Sequence, residues 1–289
     1  MANTQGLKQR IRSVKSTRQI TKAMQLVAAS KMRKAQEATK ASTPYTLAAR
    51  ELLTALSTQV SVRSHPLFMT RTVKKRLIIL IASDKGLAGA YNSNIMRVYA
   101  NELKADDKAG INNTTLTIGR KSAQFVSRIK NVDVAGSYEE LPDSPDGSEL
   151  RAILDTTREM FLSGEVDAVD VVYTDFVTSV TQQAKIVRVL PAGFEPTEER
   201  QVTQDVTYEP SVEEVLDGVA FRLVAAQLFQ ALLDARASEY SMRMMAMKNA
   251  TDNASDLIDD LSLAMNKARQ GAITQELAEI SGGVEALNE

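Results

Sequence analysis

A heptad pattern in the last quarter of the chain constrains the fold more than anything else in it. Stepping from Leu216 in alternating strides of three and four gives Leu216, Val219, Leu223, Ala226, Gln230, Leu233, Ala237, Tyr240, Met244, Met247, Thr251, Ala254, Ile258, Leu261, Met265, Ala268 and Ala272. Of these only Gln230 and Thr251 are polar. A 3.5-residue period keeps one narrow seam turned toward a partner helix and predicts a left-handed supercoil. No proline follows Pro210, so an uninterrupted helix over about 211–285 would be roughly 110 Å long. A rod of that length cannot bury itself within its own chain and must meet something else.

The partner helix is expected at the other end. Residues 4 to 60 contain one proline, Pro44, among good helix formers, with apolar positions at Leu7, Ile11, Val14, Ile20, Met24, Val27 and Met32. Their spacing drifts more than in the C-terminal segment. The Ser42-Thr43-Pro44 cluster is where a bend or break is expected, since proline removes a helical hydrogen bond.

Between these segments the pattern changes. Residues 76–83 (RLIILIAS) form an apolar run of buried-strand length, ended by the turn Asp84-Lys85-Gly86. Residues 95–104 suit a helix, 114–118 a strand, 121–130 a helix and 132–135 a short strand. Ser148 is placed to cap a helix running to Leu162, and 168–176 with 182–190 read as paired strands. Strands alternating with helices imply a parallel-cored α/β domain. The expected fold class is therefore α/β plus a long α-helical coiled coil: an antiparallel two-helix coiled coil from the N- and C-terminal segments with an inserted Rossmann-like α/β domain. The expected divisions are 1–62 for the first helix, 74–192 for the α/β domain, 193–210 for a linker and 211–289 for the second helix. The second helix is the longer, so about 20 of its residues should project beyond the first as a single helix.

Composition removes several function classes. The formal net charge is −1, with 44% hydrophobic and 25% charged residues, and no apolar run reaches the roughly 18 residues a bilayer span requires. No signal core precedes the first helix, so the chain is expected to remain where it is made. The absence of cysteine excludes disulfides and thiolate metal sites. The one histidine, His65, precedes Pro66 in a connector and reads as a loop residue.

The balanced charge hides an asymmetry. Ten lysines and arginines from Lys8 to Lys40 meet a single acid, Glu37, whereas Asp252, Asp256, Asp259 and Asp260 lie in the C-terminal segment. In an antiparallel register residues 8–22 fall beside about 249–263, so these acids are a candidate intrachain complement. Basic residues in the first turns oppose the helix dipole, which points part of the charge toward an external partner. Nucleic acid, an anionic membrane and acidic protein all fit that description.

Candidate catalytic chemistry is sparse. The turn of residues 83–92 (SDKGLAGAYN) lies between a strand and a helix, where α/β domains hold phosphates. It matches neither G-x-G-x-x-G nor G-x-x-x-x-G-K-[ST], and reads as a structural turn or a protein contact. The pairs Asp106-Asp107, Glu139-Glu140 and Glu198-Glu199 are adjacent in sequence and do not converge on one reacting atom, so they read as solvated surface. No cofactor, metal or catalytic residue is expected.

Residues 7–36 (LKQRIRSVKSTRQITKAMQLVAASKMRKAQ) and 246–283 (AMKNATDNASDLIDDLSLAMNKARQGAITQELAEISGG), with SDKGLAGAYN between them, closely resemble the gamma subunit of bacterial-type F-type ATP synthases. The resemblance runs in order across essentially the whole chain. It implies a non-catalytic rotor shaft, one copy per complex, that transmits torque between a membrane ring of c subunits driven by ion flow and the alpha and beta subunits that hold the nucleotides. The epsilon subunit is a further implied partner and nucleic acid is not. The implied location is the cytoplasmic face of the plasma membrane, as a peripheral part of the complex. By resemblance, Lys22 and Met24 would lie near the catch loop of a beta subunit, with Arg269, Gln270 and Thr274 meeting the same region from the other helix. Ile273, Leu277, Ile280, Val284 and Leu287 would turn within an apolar bearing. Arg33, Lys34, Tyr208 and Glu209 would lie at the foot, near epsilon and the rotor ring. The regulatory insert of plant-chloroplast relatives, with its cysteines, has no counterpart here.

A torque-bearing role agrees with a long seam. One charge crossing 100 mV releases about 2.3 kcal/mol, so a few ions deliver on the order of 10 kcal/mol, comparable to the stability of a whole domain. No single contact carries that load.

Overall fold

The computed structural model describes residues 2–58, 62, 65–130, 132–142, 147–192 and 212–287. The elements run α1 (Ala2–Thr58), β1 (Lys75–Ile81), α2 (Tyr91–Ala109), β2 (Asn112–Ile118), α3 (Arg120–Val126), β3 (Asp133–Tyr138), α4 (Arg151–Leu162), β4 (Ala168–Phe176), β5 (Gln182–Leu190) and α5 (Val212–Leu287). The segment expected as a linker, 193–210, lies outside the described residues. Long N- and C-terminal helices pack together around an inserted α/β sheet, the expected fold.

Two of the local expectations are corrected. Pro44 lies inside α1 without interrupting it; Thr43 Oγ1 donates to the Thr39 carbonyl at 2.7 Å and Thr46 Oγ1 to the Ser42 carbonyl at 3.2 Å, so flanking hydroxyls bind backbone acceptors around the proline. Ser148 does not cap α4. It opens a 3₁₀ turn (Ser148–Leu150), and the N-cap position falls to Leu150, which has no side-chain oxygen to offer.

The chain divides into two compact units, Met1–Ala28 with Arg243–Glu289, and Ala29–Met242. The boundary cuts through both long helices. In the larger unit α1 buries Ala49, Leu53 and Leu56, and α5 buries Leu216, Val224, Leu228 and Leu232, all in the same hydrophobic core as the central strands. The sheet order is β3-β2-β1-β4-β5. β3, β2, β1 and β4 run parallel to one another, and β5 returns antiparallel to β4. β1 is buried along Arg76 to Ile81, as an apolar run covered on both faces must be. α2 turns Tyr91, Ile95, Tyr99, Leu103 and Asp106 inward. Val171 and Tyr173 of β4 lie on the sheet face toward α1 and α5.

Asp106 departs from expectation. It is a buried ligand of Arg76 rather than solvated surface, because it occupies the next inward position of α2 after Leu103. Arg76 also reaches Glu102 at 2.8 Å and Asp170 at 2.7 Å, and Asp170 accepts from Arg188 at 2.7 Å. This network ties α2 to β1, β4 and β5. His65, the connector histidine, is buried; its Nδ1 accepts from the Leu67 amide at 3.3 Å and its ring stands edge-on to Phe68.

The smaller unit is an antiparallel helical pair. On α5 the predicted seam positions Met244, Met247, Thr251, Ala254, Ile258, Leu261, Met265, Ala268 and Ala272 are all buried or half-buried, and from Lys248 onward most residues between them are exposed. α1 answers with Leu7, Ile11, Val14, Arg18, Thr21, Gln25 and Ala28. The drift in its apolar spacing now has a cause: Ile20 and Val27 are exposed, and Thr21 and Ala28 fill the seam beside them. The Thr21 and Thr251 hydroxyls meet at 2.8 Å and fix the register.

Candidate functional site

The expected site residues fall on three stretches of helix. In the register set by Thr21 and Thr251, Lys22 and Met24 lie level with about residues 248–250 of α5. Arg269, Gln270 and Thr274 lie some twenty residues further along α5, roughly 30 Å away at 1.5 Å per residue. The structure therefore does not bring these five residues to one region. Lys22 is exposed, its Nζ donating to Gln25 Oε1 at 3.3 Å, whereas Met24 is half-buried against the seam. Arg269 and Gln270 are exposed, and Thr274 Oγ1 donates to the Gln270 carbonyl at 3.0 Å.

By the same register α1 begins opposite about residue 270, so α5 continues alone for about 17 residues, roughly 25 Å. Ile273, Leu277 and Ile280 stand on this single helix 50%, 60% and 64% exposed. Steps of four and three place them on one face, and the same spacing carries that face to positions 284 and 287. The side chains of Val284 and Leu287 lie outside the described residues. An apolar stripe on a helix with no partner among the described residues of its own chain is a surface prepared for something else.

The basic face of α1 is equally open. Among the described residues no ion pair joins Lys8, Arg10, Arg12, Lys15 or Lys22 to Asp252, Asp256, Asp259 or Asp260. The expected intrachain complement is not made, because these side chains sit outside the seam on exposed faces of both helices. In the larger unit Arg33 and Lys34 are exposed on α1, while their neighbours Met32 and Ala35 pack against Ala237 and Tyr240. Tyr208 and Glu209 lie outside the described residues.

The strand ends, where an α/β fold would hold a phosphate, are committed to internal contacts. β1 sits at the switch point, with β2 on one side and β4 on the other. Ser83 Oγ donates to the Lys85 carbonyl at 2.7 Å and accepts from Asn92 Nδ2 at 2.8 Å. Asp84 Oδ1 accepts from the amides of Arg120 at 2.9 Å and Glu140 at 3.1 Å. From α5, buried Arg236 points its Nη2 at the Leu141 carbonyl, 2.9 Å away, and lies 3.8 Å from Asp84. Glu139 and Glu140 are exposed, as expected of surface acids, and both pair with Arg120. Gly119 closes the arrangement: at φ +95 a Cβ there would lie 2.2 Å from the Ala82 carbonyl oxygen. The SDKGLAGAYN turn is a clamp between β1, β2, β3 and α5.

The ATP synthase family profile matches residues 3–287. The chain is 40% identical to the ATP synthase gamma chain of Stenotrophomonas maltophilia over 291 residues, covering 99% of this chain and 100% of that one. It is 39% identical to the gamma chain of Moorella thermoacetica over 287 residues, with the same coverage. The chain belongs to the ATP synthase gamma-chain family. As a member it is a non-catalytic subunit and the central-stalk rotor of ATP synthase. Among solved structures, the central stalk and c-ring assembly of the Tetrahymena thermophila mitochondrial ATP synthase contains a similar chain, with TM-score 0.64 and 26% identity over 80% of this chain and 99% of that one. A chain of the Euglena gracilis mitochondrial ATP synthase shares the fold at TM-score 0.71 and 17% identity, over 99% and 95% of the two chains. Among the described residues no helix of this gamma-family chain is long and apolar enough to cross a membrane; the complex it joins is a peripheral membrane assembly. Sequence reasoning missed the Arg76 network and the Arg236 anchor. The signal for the first was Asp106 at an inward spacing on α2; Arg236 sits inside an apolar stretch of α5 without a pattern to mark it.

Proposed function

We propose that the chain carries torque between an ion-driven ring of c subunits and a catalytic ring of alpha and beta subunits, through two separate stations on its helical pair. Lys22 and Met24 form the first station, against a beta subunit. Arg269, Gln270 and Thr274 form the second, about 30 Å further along. Beyond it Ile273, Leu277 and Ile280, with Val284 and Leu287, turn in an apolar bearing. Arg33, Lys34, Tyr208 and Glu209 face epsilon and the c-ring, and the complex sits at the cytoplasmic face of the plasma membrane with one copy of this chain.

The observation that carries this reading is the exposed end of α5, which has no partner helix among the described residues and carries a polar station and an apolar stripe together. Two stations spread load in a way one contact does not, and an apolar stripe without charges fits a sliding bearing that must not lock. The test is coupled ATP synthesis in energised membrane vesicles. Arg269→Ala with Gln270→Ala should lower the rate while the complex still assembles; Lys22→Ala should lower it independently, with effects that add as expected for distant sites. Unchanged synthesis in the double variant would remove the second station.

A further inference from the structure

Within the larger unit a cavity of about 560 Å³ lies between α1, the β4–β5 hairpin and α5. That is the size of a small-molecule pocket, and its walls have the usual make-up of apolar surface with a few polar groups. Small side chains create the space. α1 turns Thr39, Thr43 and Thr46 toward it at helical spacing, and α5 offers Gln230 and Asp234 where the lower seam would otherwise be filled by apolar bulk.

The polar groups of this wall are not all satisfied. Thr39 Oγ1 and Gln230 Oε1 are buried without a hydrogen-bond partner, a condition that buried polar atoms rarely tolerate. The charges are uneven too. Lys185 Nζ is paired with Asp175 at 2.9 Å, and Arg188 with Asp170 at 2.7 Å. Asp234, 8% exposed, accepts one hydrogen bond, from Gln230 Nε2 at 3.1 Å, and among the described residues no cation lies within ion-pair range of it. A buried carboxylate with a neutral donor and no counter-ion is a costly arrangement unless a cation completes it.

We propose that this cavity binds an organic cation of small-molecule size, an ammonium on an apolar body, with the ammonium seated at Asp234 and the body against Tyr173 and the apolar wall. Neither the rotor function nor its stations require such a site. Burial, with the like charge of Asp175 nearby, pushes the Asp234 carboxyl up to about 7, against the opposing pull of Gln230 and Lys185. Protons and ligand therefore compete for one group. The charged and titratable groups that face it are Asp175 and Tyr173 of β4, Lys185 and Arg188 of β5 and Arg50 of α1.

Dansylcadaverine, a primary amine on a fluorescent aromatic body, tests this on the purified full-length chain. Saturable binding is expected, about tenfold tighter near pH 8 than near pH 6 as Asp234 ionises. Asp234→Asn should weaken it about tenfold or more and flatten the pH dependence; N-acetyl-dansylcadaverine, with no charge, should bind correspondingly weakly to the unaltered chain. Thr43→Leu fills the cavity without touching the carboxylate and should also abolish binding. Absence of saturable binding up to about 1 mM, or equal affinity of the amine for the unaltered chain and Asp234→Asn, overturns the proposal.

Discussion

Asp234 has a consequence for stability as well as for binding. Its carboxyl in the folded chain is raised to about 7, first by burial and then by Asp175. Between about pH 4 and pH 7 the folded chain keeps a proton that the unfolded chain has released. Stability contributed by this group is therefore full below about pH 4, falls as pH rises through that window and levels off above it. Asp234→Asn keeps the hydrogen bond from Gln230 and removes the titration. The melting temperature of the variant relative to the unaltered chain should rise from about pH 5 to about pH 8; a constant difference would show that Asp234 does not titrate in this range. Asp170 tests the opposite kind of burial. It holds both Arg76 and Arg188, so Asp170→Ala leaves two guanidinium groups short of a partner and should cost about 3–5 kcal/mol in chemical denaturation. At this scale the sequence was legible in parts. Asp106 could have been recognised as inward-facing from its step after Leu103, whereas Asp170, in the middle of an apolar strand, gains its role only when β1, β5 and α2 are brought around it.

Among the elements, the helical pair was the most readable. The seam of α5 followed from its period because an exposed helix has one side to bury, and 3.5-residue spacing leaves no second choice of side. α1 was harder to read since Thr21 and Ala28, rather than the larger Ile20 and Val27, enter the seam. Small residues there allow close approach. Ala28 is buried to 2% exposure, and Ala28→Leu should force the helices apart at a cost of about 1–3 kcal/mol, seen as faster amide exchange in residues 7–28 and 244–272 with β1 and β4 unchanged. Uniform acceleration across the sheet would contradict the assignment of Ala28 to the helical pair. The strands β4 and β5 were readable to their ends because turn residues bound two apolar runs. The start of α4 was not, since Ser148 entered a 3₁₀ turn and the N-cap position passed to Leu150.

For the molecule as a whole, the two units divide the labour: one supplies a seam and an exposed helix end, and the other anchors both long helices in a sheet core. Tagged chain should recover alpha and beta subunits in excess over itself, a ratio read from quantitative mass spectrometry. Partners of that kind are suggested only by long motifs such as ARQGAIT and not by any site chemistry, because a rotor has no reacting atoms to display. The proposed rotation against a catalytic ring can be observed directly. The chain has no native cysteine, so Asp107→Cys on the exposed end of α2 gives a unique attachment point for a bead on complexes held by their beta subunits. ATP should drive sustained rotation of the bead in one direction; ATP hydrolysis at a normal rate with the bead stationary would contradict the rotor account.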